Sequence, residues 1–226
     1  MSSAEVPLLD PDAGLDHATV VLTNGDFPRH PLTRTTLRNA RRLVCCDGAA
    51  AALARHCPDL APDAIVGDFD SLSPAVRRRY PADRFHAVAE QETNDLAKSL
   101  RFCRARRWKA PVVLGASGKR EDHFLGNVAL LADAADDFPG IRMLTDHGLF
   151  LVVQGPARIR CGAGRAVSLF SFDPAQRLTA SGLRYPLDDL PLAPFWRATL
   201  NTSTAETIAL EPALPAPILV YLAHRA

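Results

Sequence analysis

The stretch 65-IVGDFDSLSP-74 places two aspartates one residue apart, directly after a short apolar run. A short apolar run that ends in turn-forming residues is typical of a buried strand. Two carboxylates this close repel each other unless water, a cation or a hydrogen-bond donor lies between them. The stretch is therefore either a solvated turn or one edge of a site that receives a positive group.

Apolar runs alternate with amphipathic stretches through the first two thirds of the chain. Helices are predicted over 95-DLAKSLRFCRARR-107 and 123-HFLGNVALLADAA-135, because their apolar residues recur at helical spacing, with Asn127 and Asp133 off the apolar face of the second. Strands that alternate with helices indicate a mostly parallel α/β sheet. The predicted strands are 18-ATVVLTN-24, 42-RLVCCDG-48, 64-AIVGD-68, 84-RFHAV-88, 112-VVLG-115 and 141-IRMLT-145.

After about residue 147 the pattern changes to short apolar runs separated by Gly, Pro and Asp. Such spacing predicts an antiparallel β-sandwich. The lone Trp196 between strands is expected in its core. The expected organisation is a mobile leader over 1–16, an α/β domain over 17–147 and a β-sandwich domain over 148–226. The runs are 149-LFLVV-153, 166-AVSLFSF-172, 207-TIALE-211 and 218-ILVYLA-223.

The composition is that of an ordinary soluble protein, with 226 residues, 47% hydrophobic content and a net charge of +1. This neutral balance argues against nucleic-acid binding, so the basic runs Arg77–Arg79 and Arg104–Arg107 are interpreted as solvated faces. We expect no membrane span, because no apolar run approaches about 20 residues. Five cysteines without a CxxC pair indicate reduced thiols and a cytoplasmic location, and the histidines lack metal-site spacing.

Acidic residues gather where predicted strands end. Asp47, Asp68 and Asp70 follow two strands, Asp95 begins a helix that Thr93 or Asn94 could cap, and Asp122 follows a glycine-containing turn. In an open parallel sheet, ligands bind beyond the carboxyl ends of the strands. Each acid alone has an ordinary explanation as a turn residue, a helix-dipole partner or, for Arg120 with Asp122, a surface ion pair. Together they suit Mg²⁺, which prefers oxygen ligands and takes its remaining ligands from water and substrate phosphates.

The loop 115-GASGKR-120 is interpreted as a phosphate cradle in which Lys119 and Arg120 meet phosphate oxygens. It lacks the GxxxxGK[ST] pattern, which argues against a P-loop NTPase. The first predicted strand is not followed by GxGxxG, which leaves the usual dinucleotide-binding fold without support.

Four segments, in this order and spacing, resemble the thiamine pyrophosphokinase family. The later 181-SGLRYPL-187 is similar to a segment of that family's β domain, so the resemblance covers roughly residues 18–224. The four segments are 46-CDGAAAAL-53, 63-DAIVGDFDSLSP-74, 90-EQETNDLAKSL-100 and 115-GASGKREDHFLGNVALL-131.

The resemblance implies a homodimer with a thiamine site between subunits, and transfer of the pyrophosphoryl group of ATP to the thiamine hydroxyl with release of AMP. It implies that Asp68, Asp70, Asp95, Asp122 and Arg120 are catalytic, with Asp68, Asp70 and Asp122 holding one or two Mg²⁺ ions. It further implies a set of residues that bind the co-substrate ATP: Asp47, Gly48, Gly67, Ser71, Gly115, Ser117, Gly118 and Lys119. Candidate thiamine contacts are Gln91, Tyr185, Ser203 and Thr204. Asp95 is expected to orient the thiamine hydroxyl, because a neighbouring magnesium ion would keep its pKa low.

The sequence departs from the family pattern at Cys46, Asn94, Lys119 and Ala205, where alanine, threonine, glycine and asparagine are common. The difference at Ala205 affects the predicted contacts to thiamine more than the predicted phosphate chemistry. Two other enzymes fit parts of the pattern: a Mg²⁺-dependent pyrophosphokinase for another alcohol such as a pterin, and a DxD glycosyltransferase. A non-catalytic nucleotide- or thiamine-binding module is the third alternative.

Overall fold

The computed structural model describes residues 6–70 and 72–225, so Ser71 lies outside the described residues. The helices and strands of these residues are numbered in chain order, and a 3₁₀ turn spans Ala82–Arg84. They are β1 (Leu8–Leu9), β2 (Thr19–Leu22), α1 (Pro31–Arg38), β3 (Arg42–Cys46), α2 (Ala49–His56), β4 (Ala64–Gly67), α3 (Pro74–Arg79), β5 (Phe85–Ala87), α4 (Asp95–Ala105), β6 (Val112–Leu114), α5 (Glu121–Asp133), β7 (Arg142–Leu144), β8 (Gly148–Val153), β9 (Ala157–Arg160), β10 (Ala166–Ser171), β11 (Arg177–Ser181), β12 (Leu187–Pro191), β13 (Ala198–Thr202), β14 (Thr207–Pro212) and β15 (Ile218–Ala223).

The chain divides into two compact units, and the first, Gly14–Asp146, is an α/β unit. Its strands pair in the order β7-β6-β2-β3-β4-β5, and every pairing is parallel. The parallel sheet predicted from the alternating pattern is thereby confirmed. Apart from β5 and the polar first residues of β2, β3 and β7, its strands are apolar, because both faces of a parallel sheet are covered. Val20, Val44, Ile65 and Val113 have no exposed surface at all.

Helix α4 begins where the sequence predicts. The Asn94 side chain accepts a hydrogen bond of 2.9 Å from the Ala97 amide and so caps the helix. Leu96, Leu100 and Cys103 form its buried face, as predicted. Of the described helices, α5 is the longest at 13 residues, and none is both long and apolar enough to cross a membrane.

Helix α5 differs from the prediction at one residue. Val128 and Leu131 are buried and Asp133 is exposed, as expected, but Asn127 is buried rather than off the buried face. Its carbonyl accepts a bond of 3.1 Å from Asn94, and its amide donates to the Ala116 carbonyl at 3.4 Å. The expectation for Asn127 was wrong because polar loop groups, rather than apolar side chains, cover this face.

The second unit combines residues up to Ala13 with residues from His147 onward. Strands β13, β10, β15 and β8 pair side by side, all antiparallel. A second sheet has the order β1-β9-β14-β11-β12. The predicted fold class, α/β followed by a strand-rich antiparallel domain, is confirmed. The pattern missed β9, β11, β12 and β13, because these strands carry charged or polar residues on their exposed sides.

Two details of the second unit differ from the expectations. Leu8–Leu9, inside the expected leader, pair in parallel with Arg158–Ile159, because two apolar residues after Pro7 can extend the sheet edge. Trp196 was expected in the core but is 69% exposed, since it lies in the turn between β12 and β13 rather than in a strand.

Candidate functional site

An open cleft of about 420 Å³ lies beyond the carboxyl ends of β2, β3, β4 and β6. The segments that follow these strands, with the start of α4, supply its walls. The position agrees with the ligand-binding edge of open parallel sheets. Six residues singled out from the sequence line it: Asp68, Gln91, Asp95, Ser117, Lys119 and Arg120.

The turn between Asp68 and Asp70 is built around a strained, buried aromatic residue. Phe69 has a φ of 69°, unfavourable for a bulky side chain, and its ring packs edge-on against Phe85 at 5.5 Å. Burial of Phe69 leaves the two aspartates at the surface on either side of it. Asp68 lines the cleft, whereas Asp70 is exposed and donates its amide to the Asp68 carboxylate at 3.1 Å.

Gln91 connects the next loop to this turn. Its amide donates to the second oxygen of Asp68 at 2.9 Å, and this bond is the main reason that the pKa of Asp68 lies below its usual value. Gln91 is itself positioned by Glu90, whose carboxylate accepts from the amides of Glu92 and Thr93 at 2.9 and 3.1 Å. The thiamine candidate Gln91 is therefore held against a predicted metal ligand.

Asp95 and Lys98 form a partly buried pair at the start of α4. The Lys98 ammonium is 3.9 Å from the Asp95 carboxylate, and Lys98 is only 3% exposed. Burial, followed by repulsion from Asp47, raises the pKa of Asp95 in the metal-free cleft, whereas the low pKa predicted from the sequence applies to Asp95 beside a magnesium ion. Lys98 was missed, although its position three residues after Asp95 places both on one helix face.

Asp47 and Gly67 meet beneath the acidic edge of the cleft. Asp47 is buried, and its amide donates to the Val66 carbonyl at 2.9 Å. A β-carbon on Gly67 would lie 2.7 Å from the β-carbon of Asp47, so only glycine fits there. Gly48 occupies the position before α2. Neither glycine is among the cleft-lining residues of the described chain, and their predicted role in ATP binding stays a prediction.

The glycine loop packs against the loop that follows β2. The amides of Gly25 and Asp26 donate to the carbonyls of Gly115 and Ser117, each at 2.7 Å. Gly118 has a φ of 102°, and a β-carbon there would lie 2.3 Å from the Asp26 carboxylate. These contacts fix the loop that carries Ser117, Lys119 and Arg120 into the cleft. Gly115 and Gly118 themselves are not cleft-lining in the described chain.

Lys119 and Arg120 both have partners on the protein. The Lys119 ammonium donates to the Asn24 side chain at 3.1 Å. Arg120 pairs with Asp122 through two bonds of 2.5 and 3.1 Å, which lowers the pKa of Asp122. The Arg120 and Asp122 side chains are both exposed. This agrees with a surface ion pair, which was one explanation of these two residues in the sequence. Asp122 is not brought to the cleft wall with Asp68.

A chain of amides joins the two halves of the cleft. Asn94 caps α4 and donates to Asn127 of α5, which in turn donates to the Ala116 carbonyl in the glycine loop. Asn94 and Asn127 both line the cleft, together with His123. The sequence pattern did not identify Asn127 as a residue of the cleft. Its position four residues after His123 places both on one face of α5, and this spacing could have identified it.

The remaining thiamine candidates lie in the strand-rich unit. Tyr185 is 61% exposed, and its amide donates to the Asn201 side chain at 3.1 Å. Thr204 is exposed, and its amide donates to the Gly182 carbonyl at 2.8 Å. Ser203 is buried, and its hydroxyl donates to the Gly162 carbonyl at 2.5 Å, so its oxygen is not at the surface.

Carboxylates and cations share one cleft at the ligand-binding edge of a parallel sheet, an arrangement that suits a transferase of phosphoryl groups. The catalytic-domain profile of thiamin pyrophosphokinase matches residues 33–143, and the profile of its substrate-binding domain matches residues 148–221. The chain belongs to the thiamin pyrophosphokinase family, and the enzyme class expected from the sequence is confirmed.

Individual relatives agree with this assignment. Thiamine pyrophosphokinase 1 of Oryza sativa subsp. japonica is 30% identical over 231 residues, covering 85% of this chain and 81% of the relative. The structure of thiamin pyrophosphokinase from Candida albicans aligns over 100% of this chain and 95% of its own, with a TM-score of 0.82 and 20% identity. The yeast enzyme aligns over 99% of this chain and 93% of its own, with a TM-score of 0.81 and 15% identity.

Proposed function

We propose that the enzyme transfers the pyrophosphoryl group of ATP to the hydroxyl of thiamine and releases AMP. The observation that carries the proposal is the mixed charge of the cleft. Asp68 and Asp95 lie on one side, and Lys119 and Arg120 come from the glycine loop on another. Such transfer depends on alignment and charge neutralisation more than on covalent chemistry by the protein.

The phosphates of ATP have cationic partners in and beside the cleft. Lys119 and Arg120 can reach phosphate oxygens, and Arg120 can bind two oxygens at once. An adjoining recess of about 310 Å³ shares Gly25 and Lys119 with the cleft. Arg29, Arg34 and Arg55 line that recess without a carboxylate other than Asp26 among its described lining residues. Together the two cavities offer room and positive charge for a nucleotide.

The donor groups in the cleft fit Mg²⁺. The described residues contain no cluster of three His, Cys, Asp or Glu side chains arranged to hold a metal ion. Mg²⁺ needs only one or two protein carboxylates, because water and substrate phosphates supply its other ligands. Asp68 would hold it, with Asp70 and Asp122 as further candidates; when bound, the ion neutralises charge on the phosphate oxygens.

Asp95 is proposed to accept the hydrogen bond of the attacking hydroxyl and so to orient it. Burial and repulsion from Asp47 raise the pKa of Asp95 in the metal-free cleft, and a magnesium ion at Asp68 would lower that pKa, so orientation outweighs proton transfer at this carboxylate. Lys98, almost fully buried, holds the carboxylate on its helix and offsets part of the repulsion from Asp47. Arg120, once released from Asp122 by a phosphate, would stabilise charge on the transferred group.

Thiamine is proposed to contact Gln91 in the α/β unit and Tyr185 and Thr204 in the strand-rich unit. Tyr185 and Thr204 are exposed, and Gln91 lines the cleft. The proposed form is a cytoplasmic homodimer with a thiamine site between subunits, as the family resemblance implies.

The direct test is to incubate the enzyme with ATP, Mg²⁺ and thiamine and to identify the nucleotide product. We expect AMP, formed only when thiamine is present. ADP as the product, or ATP turnover that does not depend on thiamine, would contradict the proposal. Replacement of thiamine by a pterin alcohol tests the alternative acceptor and should give no AMP.

A matched pair of variants connects the result to the cleft. Asp68→Asn removes the charge that faces the cleft, and we expect turnover to fall at least about 100-fold, as for loss of other electrostatic groups in active sites. Asp133→Asn makes the same chemical change at an exposed position of α5 and should leave turnover unchanged. Equal activity of the two variants would remove Asp68 from the mechanism.

A further inference from the structure

A second concave site lies at the opposite end of the parallel sheet from the catalytic cleft. It is an open recess of about 450 Å³ beside the amino ends of β2, β3, β6 and β7. Strand β3 has five residues, so at about 3.3 Å per residue the two ends of the sheet are roughly 15 Å apart. The reaction proposed for the cleft makes no use of this recess.

The recess is strongly cationic. Arg41, Arg42, Arg107, Lys109 and Arg142 line it, and no aspartate or glutamate lines it among the residues the structure describes. Asp63, outside the lining, is 3.4 Å from the Arg42 guanidinium and also pairs with Arg84 at 3.6 Å. The described lining residues of the recess therefore carry an excess of positive charge, in a chain whose net charge is only +1.

The fold brings these cations together from distant parts of the sequence. Arg42 and Arg142 are the first residues of β3 and β7, and the parallel register places them at the same edge of the sheet. Arg107 and Lys109 come from the turn after α4, where Arg107 has the unusual φ of 57°. The basic run Arg104–Arg107 was interpreted from the sequence as a solvated face, but its last residue, Arg107, contributes with Lys109 to a concave surface.

Trp108 gives the recess a rigid wall. Its ring packs edge-on against Phe102 at 5.6 Å, and the Arg42 guanidinium lies over it at 5.6 Å. Its amide donates to the Cys103 carbonyl at 3.0 Å. On the other side, the Arg41 amide donates to the Ala18 carbonyl at 2.9 Å. The cations are therefore carried on fixed backbone rather than on loose termini, which favours a defined ligand.

We propose that this recess binds a small ligand that carries two or three linked phosphate groups. Several guanidinium groups on one concave surface match the oxygens of a polyphosphate, since each can donate two bonds. The recess volume suits a small anion. A long nucleic acid fits less well, because the net charge of +1 provides no extended basic surface.

The test uses the full chain and inorganic tripolyphosphate as the probe, with binding measured by titration calorimetry. EDTA is present, so that no metal ion in the catalytic cleft contributes to binding. Lys119, Arg120 and the arginines of the adjoining recess can also bind phosphate groups, so we expect the recess at the amino ends to contribute one tripolyphosphate per chain that remains bound in Lys119→Gln/Arg120→Gln. The affinity should weaken as NaCl rises from about 0.1 to 1 M, because the Debye length then shrinks from about 10 to about 3 Å.

Two double variants locate the site. Arg107→Gln/Lys109→Gln should weaken tripolyphosphate binding at least about fivefold while leaving turnover of ATP and thiamine unchanged, since two exposed charge contacts are lost. Lys119→Gln/Arg120→Gln alters the catalytic cleft and should leave this binding intact. Arg78→Gln/Arg158→Gln removes two charges from exposed positions elsewhere and serves as the charge-matched control.

Three results would overturn the proposal: no binding, loss of binding only in Lys119→Gln/Arg120→Gln, or the same loss in the charge-matched control. The source of the phosphates follows from a comparison of pyrophosphate with ADP. Equal affinities assign the site to free polyphosphate, and tighter binding of ADP assigns it to a nucleotide. A single-stranded RNA that binds more tightly with each added nucleotide would replace the small ligand by nucleic acid.

Discussion

At the scale of single residues, Asp95 combines two opposing requirements. The proposed reaction needs a carboxylate there, yet burial and the neighbouring Asp47 disfavour its charge and raise its pKa. Lys98 compensates only in part, at 3.9 Å from the carboxylate. Charged groups whose burial and repulsion lower the stability of the fold are common at active sites, because the reaction requires them.

Asp95→Asn should therefore make the protein more stable and less active. Asparagine keeps the shape but removes the charge that Asp47 repels. Since the Asp95 side chain is 40% exposed, solvent screens the effect, and we expect Tm to rise only by about 1–2 °C, equivalent to about 0.5 kcal/mol in a chain of this size. Turnover should fall at least about 100-fold. Calorimetry and steady-state kinetics at pH 7 measure both.

The reference variant is Asp133→Asn, an exposed aspartate on α5, which should change neither quantity. A lower Tm for Asp95→Asn would show that the pairing with Lys98 outweighs burial and repulsion.

The sequence identified some site residues and missed others for a physical reason. Asp68, Asp95 and Arg120 were found because charged residues at strand ends and in glycine loops stand out in a sequence. Lys98 and Asn127 were missed because helical periodicity assigns a polar residue to solvent unless its partner is known. Their partners, Asp95 for one and Asn94 with Ala116 for the other, come from the tertiary fold.

At the scale of elements, the segment between β5 and α4 is organised by one carboxylate. Glu90 accepts bonds from the Glu92 and Thr93 amides, from the Thr93 hydroxyl at 2.5 Å and from Arg101. The bond from the Thr93 hydroxyl is the largest of the effects that lower the pKa of Glu90 to about 2. The loop that carries Gln91 is thereby tied to the first turns of α4.

This arrangement predicts an acid-sensitive loop. The pKa of Glu90 is lowered to about 2 in the folded protein, against 4.5 for a glutamate carboxyl in the unfolded chain. Its stabilising contribution is therefore complete above pH 4.5 and disappears as the pH falls towards 2. In Glu90→Gln this part of the pH dependence should be absent, as measured by urea unfolding followed by circular dichroism over that range.

Glu92→Gln is the matched control, because Glu92 is an exposed neighbour in the same loop. Its unfolding should keep the pH dependence of the parent protein. If Glu90→Gln also keeps it, the carboxylate does not organise the loop.

Element prediction worked best where one apolar pattern dominates. The parallel strands were predicted to within a few residues, since most of their residues are apolar. The start of α4 was predicted because a capping residue, Asn94, stands directly before it. The strand-rich unit was harder. Leu187–Pro191 includes two aspartates, and Leu8–Leu9 is only two residues long, so neither carries a periodic signal of its own. Their pairing partners define them.

At the scale of the whole molecule, the two ends of the parallel sheet in the α/β unit differ in charge. The carboxyl ends of its strands carry a cleft of mixed charge, and the amino ends carry a recess lined by five arginine and lysine residues. The chain's net charge of +1 conceals the recess, because acidic residues elsewhere in the chain offset its five cations in the sum. Composition could predict neither feature, since both depend on which strand ends lie together.

The central claim is that ATP donates both of its outer phosphates to thiamine in a single step. The most direct measurement supplies ATP labelled with ³²P at the γ position, together with Mg²⁺ and thiamine, and follows the label into products. The account predicts that the label appears in thiamine diphosphate at the same rate as AMP, with thiamine monophosphate absent. Label in thiamine monophosphate accompanied by ADP would contradict it.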